Sequence, residues 1–145
     1  FQESQRLYPS VPVIGRTLTE DLVVGNFHLP AGSDVFVFVT ALHRDPQYFP
    51  DPLRYDPTRF LTEEDDGQRE SQQTARHPFA YVPFSAGQRN CIGQRFAMLE
   101  EKMLLTSVLR RFTCESLEPF DKVPVTAELV SRPLNGLPMK FTLRP

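Results

Sequence analysis

The chain has 145 residues, 40% of them hydrophobic, and a formal net charge of −2. That length suits one domain with a core, and the charge argues against a nucleic-acid partner held by bulk electrostatics. Two cysteines give no disulfide framework, which fits a reducing setting, and neither a leader pattern nor an apolar run of about 20 residues appears.

Phe1 to Tyr8 reads as the end of a helix, stopped before Pro9 because a residue preceding proline avoids the α region. Glu3 and Arg6, three apart, share one face of it and can pair; on a surface such a pair contributes only a few tenths of a kcal/mol. Pro9 to Arg16 is extended and apolar. Its Val11, Val13 and Ile14 suit either a core or the wall of a pocket. Thr17 to Val39 reads as strands, with a hairpin turning at Gly25-Asn26 and a second turn at Pro30 to Ser33. Asp34 to Val39 is rich in β-branched and aromatic residues and is expected to be a central strand.

Thr40 to Asp45 is expected to form a short helical turn. His43 within it has no serine or second histidine in a catalytic arrangement, so a structural hydrogen bond is its expected role. Gln47 to Phe60, with Pro50, Pro52 and Pro57, is expected to avoid regular structure and to be pinned by side chains. Leu61 to Pro78 is polar and reads as a surface loop. Ile92 to Phe112 has apolar residues at 92, 96, 99 and 103, and again at 105, 108, 109 and 112. Both sets have helical spacing, and a helix apolar on more than one side is expected to lie buried in a large core. Cys114, past the helix, reads as structural or surface. Val123 to Pro145 alternates weakly, with a turn expected at Asn135-Gly136.

The chemistry concentrates at Phe84 to Gly93. Phe84, Gly87, Arg89, Cys91 and Gly93 form the pattern F-x-x-G-x-R-x-C-x-G, which a chain this long would match by chance about one time in ten thousand or less. A cysteine acts as a metal ligand only as the thiolate, and a free thiol titrates near ~8.5, so something must favour the anion. Cys91 lies directly before the expected helix, whose N-terminal N–H groups and dipole favour negative charge. Gly87 and Gly93 allow backbone angles and close approach that a side chain would block. Phe84 can shield the sulfur. Arg89 offers a planar fork suited to a carboxylate. Zinc is disfavoured, because Cys91 and Cys114 form no C-x-x-C and His28, His43 and His77 show no zinc-type pairing.

The ten residues Phe84 to Gly93 resemble the haem-ligand loop of the cytochrome P-450 family, the haem-thiolate monooxygenases, and the resemblance runs the length of the chain. It implies a mainly α fold with small β-sheets, of which residues 1–145 would be the C-terminal, haem-binding part of the domain. Phe1 is no natural start, so the chain is expected to be a piece of a longer protein. The resemblance implies haem b as cofactor, with Cys91 its axial ligand and catalytic thiolate. Arg89 and Arg16 would bind the propionates, and Phe84, Gly87 and Gly93 would shape the loop. Glu3 and Arg6 resemble the family's E-x-x-R motif. Arg59, in Asp56-Pro57-Thr58-Arg59-Phe60, resembles the third member of that buried cluster, although glutamate commonly stands where Thr58 is.

Val11, Val13 and Ile14 would touch substrate, as would Pro133 and Leu134 at the tip of a C-terminal hairpin; a plain core and a surface hairpin are the alternatives. Arg95 and Lys102 would be solvated or face a reductase. The lead-in from His77 resembles the microsomal family-four group, many of whose members hydroxylate fatty acids, though Gln88 replaces a common proline. The implied partners are dioxygen, NADPH through its cytochrome P-450 reductase, cytochrome b5 and a small lipophilic substrate. The implied location is the cytosolic face of the endoplasmic reticulum membrane, through an anchor outside this chain. An isomerase or dehydratase of the same family, and a non-catalytic truncated fragment, remain alternative readings.

Overall fold

A computed structural model describes residues 1–61, 76–119 and 122–145. The chain divides into two compact units, residues 2–83 and residues 84–145 together with Phe1.

In the first unit, α1 (Gln2–Leu7) ends where sequence says it must. The Tyr8 N–H makes the last helical bond, to the Ser4 carbonyl (2.8 Å), and Pro9 follows. Glu3, Arg6 and Leu7, at spacing i, i+3 and i+4, form its buried face. β1 (Val13–Thr17) pairs antiparallel with β4 (Asp34–Phe38), in register from Val13 opposite Phe38 to Thr17 opposite Asp34. Between them lies the expected hairpin of β2 (Leu22–Val24) and β3 (Phe27–Leu29). Gly25 has φ +59°, so a glycine fills the first turn position, where a left-handed backbone is needed.

Two expectations need correction here. β4 is no central strand: it pairs with β1 alone among the described residues and ends at Phe38. Val39 instead opens α2 (Val39–Leu42) and is buried. The proline-rich stretch is also not wholly irregular, since Pro57–Phe60 forms a 3-10 turn, η1. Pro57 suits the first position of a helical turn, and the Asp56 side chain caps it by accepting from the Thr58 N–H (3.1 Å) and hydroxyl (2.6 Å). Most of the polar loop expected over residues 61–78 lies outside the described residues.

The second unit opens with the cysteine loop, including a 3-10 turn, η2 (Gly87–Arg89). The long helix α3 (Gln94–Arg111) follows. It begins two residues later than expected and has no buried residue, against the expectation of a core helix. Phe96 is 72% exposed, and Leu99, Met103 and Leu104 are similarly open. The chain passes straight into β5 (Phe112–Ser116), which pairs antiparallel with β8 (Met139–Leu143). The Phe112 and Phe141 rings meet edge to face, centroids 6.2 Å apart.

β6 (Val125–Ala127) and β7 (Ser131–Pro133) form a separate hairpin. Its tip is residues 128–130, with Leu129 and Val130 exposed. The tip is therefore not at Pro133 and Leu134: Pro133 pairs with Val125, and Leu134 starts the turn leaving β7 toward β8, with Gly136 at φ +75°. Among the described residues, no helix is long and apolar enough to cross a membrane.

Candidate functional site

Within residues 2–83, the Glu3 and Arg6 side chains are fully buried and bonded twice. Arg6 Nε donates to Glu3 Oε2 and Nη2 to Glu3 Oε1, each at 2.7 Å. The remaining guanidinium hydrogens go to carbonyls: Nη1 donates to His43 (3.0 Å) and Pro52 (2.7 Å), and Nη2 to Arg54 (3.1 Å). All five donors of the arginine are thus used. The Asp56 N–H donates to Glu3 Oε1 at 2.9 Å. A pair that would count for little on a surface is here the centre of a satisfied polar core.

Arg59 reaches Glu3 through charge rather than a hydrogen bond. Its Nε lies 3.6 Å from Glu3 Oε1 and makes no hydrogen bond, while Nη2 donates to the Asp51 carbonyl (3.1 Å). Asp51 has φ +48°, a left-handed backbone that aspartate tolerates better than most residues. Thr58 does not stand in for the family's glutamate as a charge. Its hydroxyl bond holds the Asp56 carboxyl below its usual range; burial opposes this, and the Thr58 N–H and the charges of Arg59 and Arg54 add to the lowering.

Three members of this core escaped sequence reasoning. Arg76 donates to the Arg59 carbonyl and lies 5.0 Å from the centroids of both Phe49 and Phe60. Burial, then the Arg59 charge, depresses its guanidinium pKa. Phe49 is completely buried, and Arg6 lies 5.2 Å from its ring centroid. Asp56 was readable in principle, because aspartate before a helix-initiating proline is a capping signal. No sequence signal marks Arg76 or Phe49.

His43 has the structural role expected of it. Its ring is fully buried, Nε2 accepts the Val82 N–H at 2.8 Å, and Tyr81 lies 4.9 Å away, centroid to centroid. Burial lowers its pKa to about 4; the Gln5 and Arg6 carbonyls oppose part of the shift and the Arg6 charge adds to it. Nδ1 makes no hydrogen bond of ordinary geometry.

In the same unit, β1 carries Val13 and Ile14, half-buried, and Arg16, exposed, with Nη1 donating to the Gly15 carbonyl (2.7 Å). Val11, just ahead of β1, is exposed. These 145 residues alone do not close over Val11.

Within residues 84–145, the Cys91 N–H donates to the Phe84 carbonyl (3.0 Å), closing the loop on itself. Gly87 has φ +79° and Ser85 φ +63°, two left-handed residues within three positions. Glycine suits the left-handed backbone at 87, whereas Ser85 adopts the same region at a cost of about 1–2 kcal/mol. At Gly93 neither the backbone nor the space demands glycine: its φ of −86° is open to any residue, and a Cβ there would make ordinary contact with the Cys91 sulfur at 3.8 Å.

The helix begins at Gln94, with Gly93 its N-cap, so Cys91 lies three residues before the first helical residue rather than directly against it. Cys91 itself is exposed and Phe84 half-buried, so the sulfur is not in a dry pocket within this chain. Ile92 is fully exposed, and Arg89, Arg95 and Lys102 are exposed as well.

Among the described residues, no group of three His, Cys, Asp or Glu side chains could hold a metal ion. Cys91 can supply one ligand from this chain, which is the number a metal carried by a macrocycle would ask of it. An exposed thiol with a nearby arginine and apolar surface on the helix that follows fits such a group.

Comparison with known proteins bears directly on this arrangement. The family model described as Cytochrome P450 matches residues 1–139. Among curated relatives, Cytochrome P450 4V2 of Mus musculus is 45% identical over 144 residues, covering 99% of this chain and 26% of that protein. Cytochrome P450 4c3 of Drosophila melanogaster is 44% identical over the same length, covering 25% of that protein. Among solved structures, retinoic-acid-bound cyanobacterial CYP120A1 superposes with a TM-score of 0.86 at 34% identity, covering 99% of this chain and 31% of that one. The chain thus spans about a quarter of the length of the curated relatives it matches.

Proposed function

The chain belongs to the cytochrome P450 family, and from that premise we propose that it is the C-terminal, haem-binding portion of a haem-thiolate monooxygenase. The observation that carries this is Cys91, an exposed thiol on a loop closed by its own N–H bond to the Phe84 carbonyl, within the sequence matched by the family model. Cys91 would hold the haem iron through its thiolate, and Gly93 puts no side chain beside the sulfur. Arg89 and Arg16 would hold the propionates by charge-assisted hydrogen bonds. Haem held there would supply dioxygen activation. The net reaction is insertion of one oxygen atom of O2 into a C–H bond, the other leaving as water, with two electrons from NADPH through a reductase; cytochrome b5 is a second candidate donor.

The substrate class is a lipophilic molecule such as a fatty acid. The names of the two relatives support this only as a group-level analogy, and the structural neighbour binds retinoic acid, also a lipophilic carboxylic acid. Val11, Val13 and Ile14 face that substrate. The hairpin's contribution comes from Leu129 and Val130 at its true tip more than from Pro133 and Leu134. The apolar face of α3 packs against the remainder of a P450-length protein, held at the endoplasmic reticulum membrane by a segment outside this chain.

The test is the reduced, carbon-monoxide difference spectrum of the full-length enzyme beside its Cys91→Ser variant. A thiolate-type Soret band in the parent, absent from the variant, is expected. A correctly folded parent with no haem band would overturn the reading.

A further inference from the structure

We propose that His43 is a positioning residue for the cysteine loop, a neutral imidazole that fastens the Val82 amide and so ties the loop's lead-in to the Glu3–Arg6–Arg59 cluster. Two bonds made by one residue carry the inference. The His43 backbone carbonyl accepts from Arg6 Nη1 at 3.0 Å, and its ring Nε2 accepts the Val82 N–H at 2.8 Å. Val82 is two residues before Phe84, whose carbonyl closes the loop on the Cys91 N–H. A single residue thus joins the charged core to the last tethered amide ahead of the loop.

The chemistry demands a particular form of the ring. An acceptor at Nε2 requires the neutral imidazole with its proton on Nδ1. The surroundings favour that form. The ring is fully buried and the Arg6 guanidinium of α1 disfavours a second positive charge, which together outweigh the opposing pull of the Gln5 and Arg6 carbonyls. Tyr81, the other titratable side chain against the ring, packs at 4.9 Å and turns its hydroxyl to the Gln2 carbonyl (3.0 Å). Proline occupies position 83, so no amide there could replace the Val82 N–H. Without the imidazole, the half-buried Val82 amide loses its acceptor and the lead-in its anchor.

This proposal rests on the reading of Cys91 as the haem ligand. Its test separates the two, by comparing wild type, His43→Gln, His43→Asn and His43→Leu in the full-length enzyme. Glutamine can place an acceptor near the Nε2 position; asparagine is too short and leucine has none. Hydrogen exchange of the peptide containing Val82 reports the tether directly, and the reduced carbon-monoxide band at equal haem content reports the thiolate.

The expected result is Val82 exchange at least about tenfold faster in the asparagine and leucine variants, with a smaller thiolate-type fraction, and both near wild type in the glutamine variant. If leucine prevents folding, the glutamine and asparagine pair decides by the same criterion. Unchanged exchange and spectrum in the asparagine variant would overturn the proposal, as would equal damage in the glutamine and asparagine variants. A thiolate-type band surviving Cys91→Ser would instead sink the ligand reading, while Val82 exchange still reports on His43.

Discussion

Among the described residues, every buried side chain lies in residues 2–83 and none lies in residues 84–145. The first region buries charge and completes it: Glu3 accepts from Arg6 twice and from the Asp56 amide, and every Arg6 donor is used. The second region does the reverse. It leaves the Cys91 thiol and the apolar side chains of Ile92, Phe96, Leu99 and Met103 exposed. A region whose central ion pair is fully hydrogen-bonded can act as a scaffold, and a region that displays a thiol and apolar surface is built to be covered.

The largest effect expected from disturbing this contrast is Glu3→Ala. It leaves the Arg6 and Arg59 guanidiniums in a buried site without their carboxylate, at a cost of about 3–5 kcal/mol. Urea unfolding followed by circular dichroism should show the loss; a cost under about 1 kcal/mol would mean the cluster is not the scaffold of its region.

Acid gives the next effect. His43 has a native pKa of about 4 against an ordinary 6.5. The unfolded chain therefore binds the extra proton between these values and the folded chain does not. Stability from this group is complete above pH 6.5 and falls as the pH drops toward 4, by on the order of 3 kcal/mol. Comparing urea midpoints at the two ends of this window, wild type against His43→Gln, isolates the effect; equal pH dependence in both would remove His43 as its source.

Arg76→Ala comes third. It removes two ring contacts and the bond to the Arg59 carbonyl. A loss of about 1–2 kcal/mol is expected, readable as a lowered Tm.

These residues also mark how far sequence reaches. Glu3 with Arg6, the Gly25 hairpin and Gly87 of the cysteine loop were legible because each rests on neighbours a few positions apart. The His43 bond to Val82 and the Arg76 bond to Arg59 join residues 39 and 17 positions apart, and no local pattern announces them. Periodicity identified the apolar faces of α3 correctly, yet a period says which side is apolar and not whether anything covers it. Asn135-Gly136 does mark a turn, but one leading from β7 into β8, whose strand partner is β5. A turn signal does not say which strands pair.

The smallest effect sharpens the contrast most. Leu99→Ser, on the open face of α3, should change the stability of the 145-residue chain by no more than about 0.5 kcal/mol. The same change should cost several times more in a P450-length protein, where that face is proposed to be packed. Paired urea titrations decide it, and equal costs in the two settings would place α3 outside any larger core.

Native-state hydrogen exchange of the 145-residue chain tests the central claim most directly. The account predicts that the Val82 and Asp56 amides, held by His43 and Glu3, exchange far more slowly than the amides of α3, whose exposed side chains leave it to open locally. α3 amides as protected as those of Val82 and Asp56 would contradict it, showing that residues 84–145 stabilise themselves without cover.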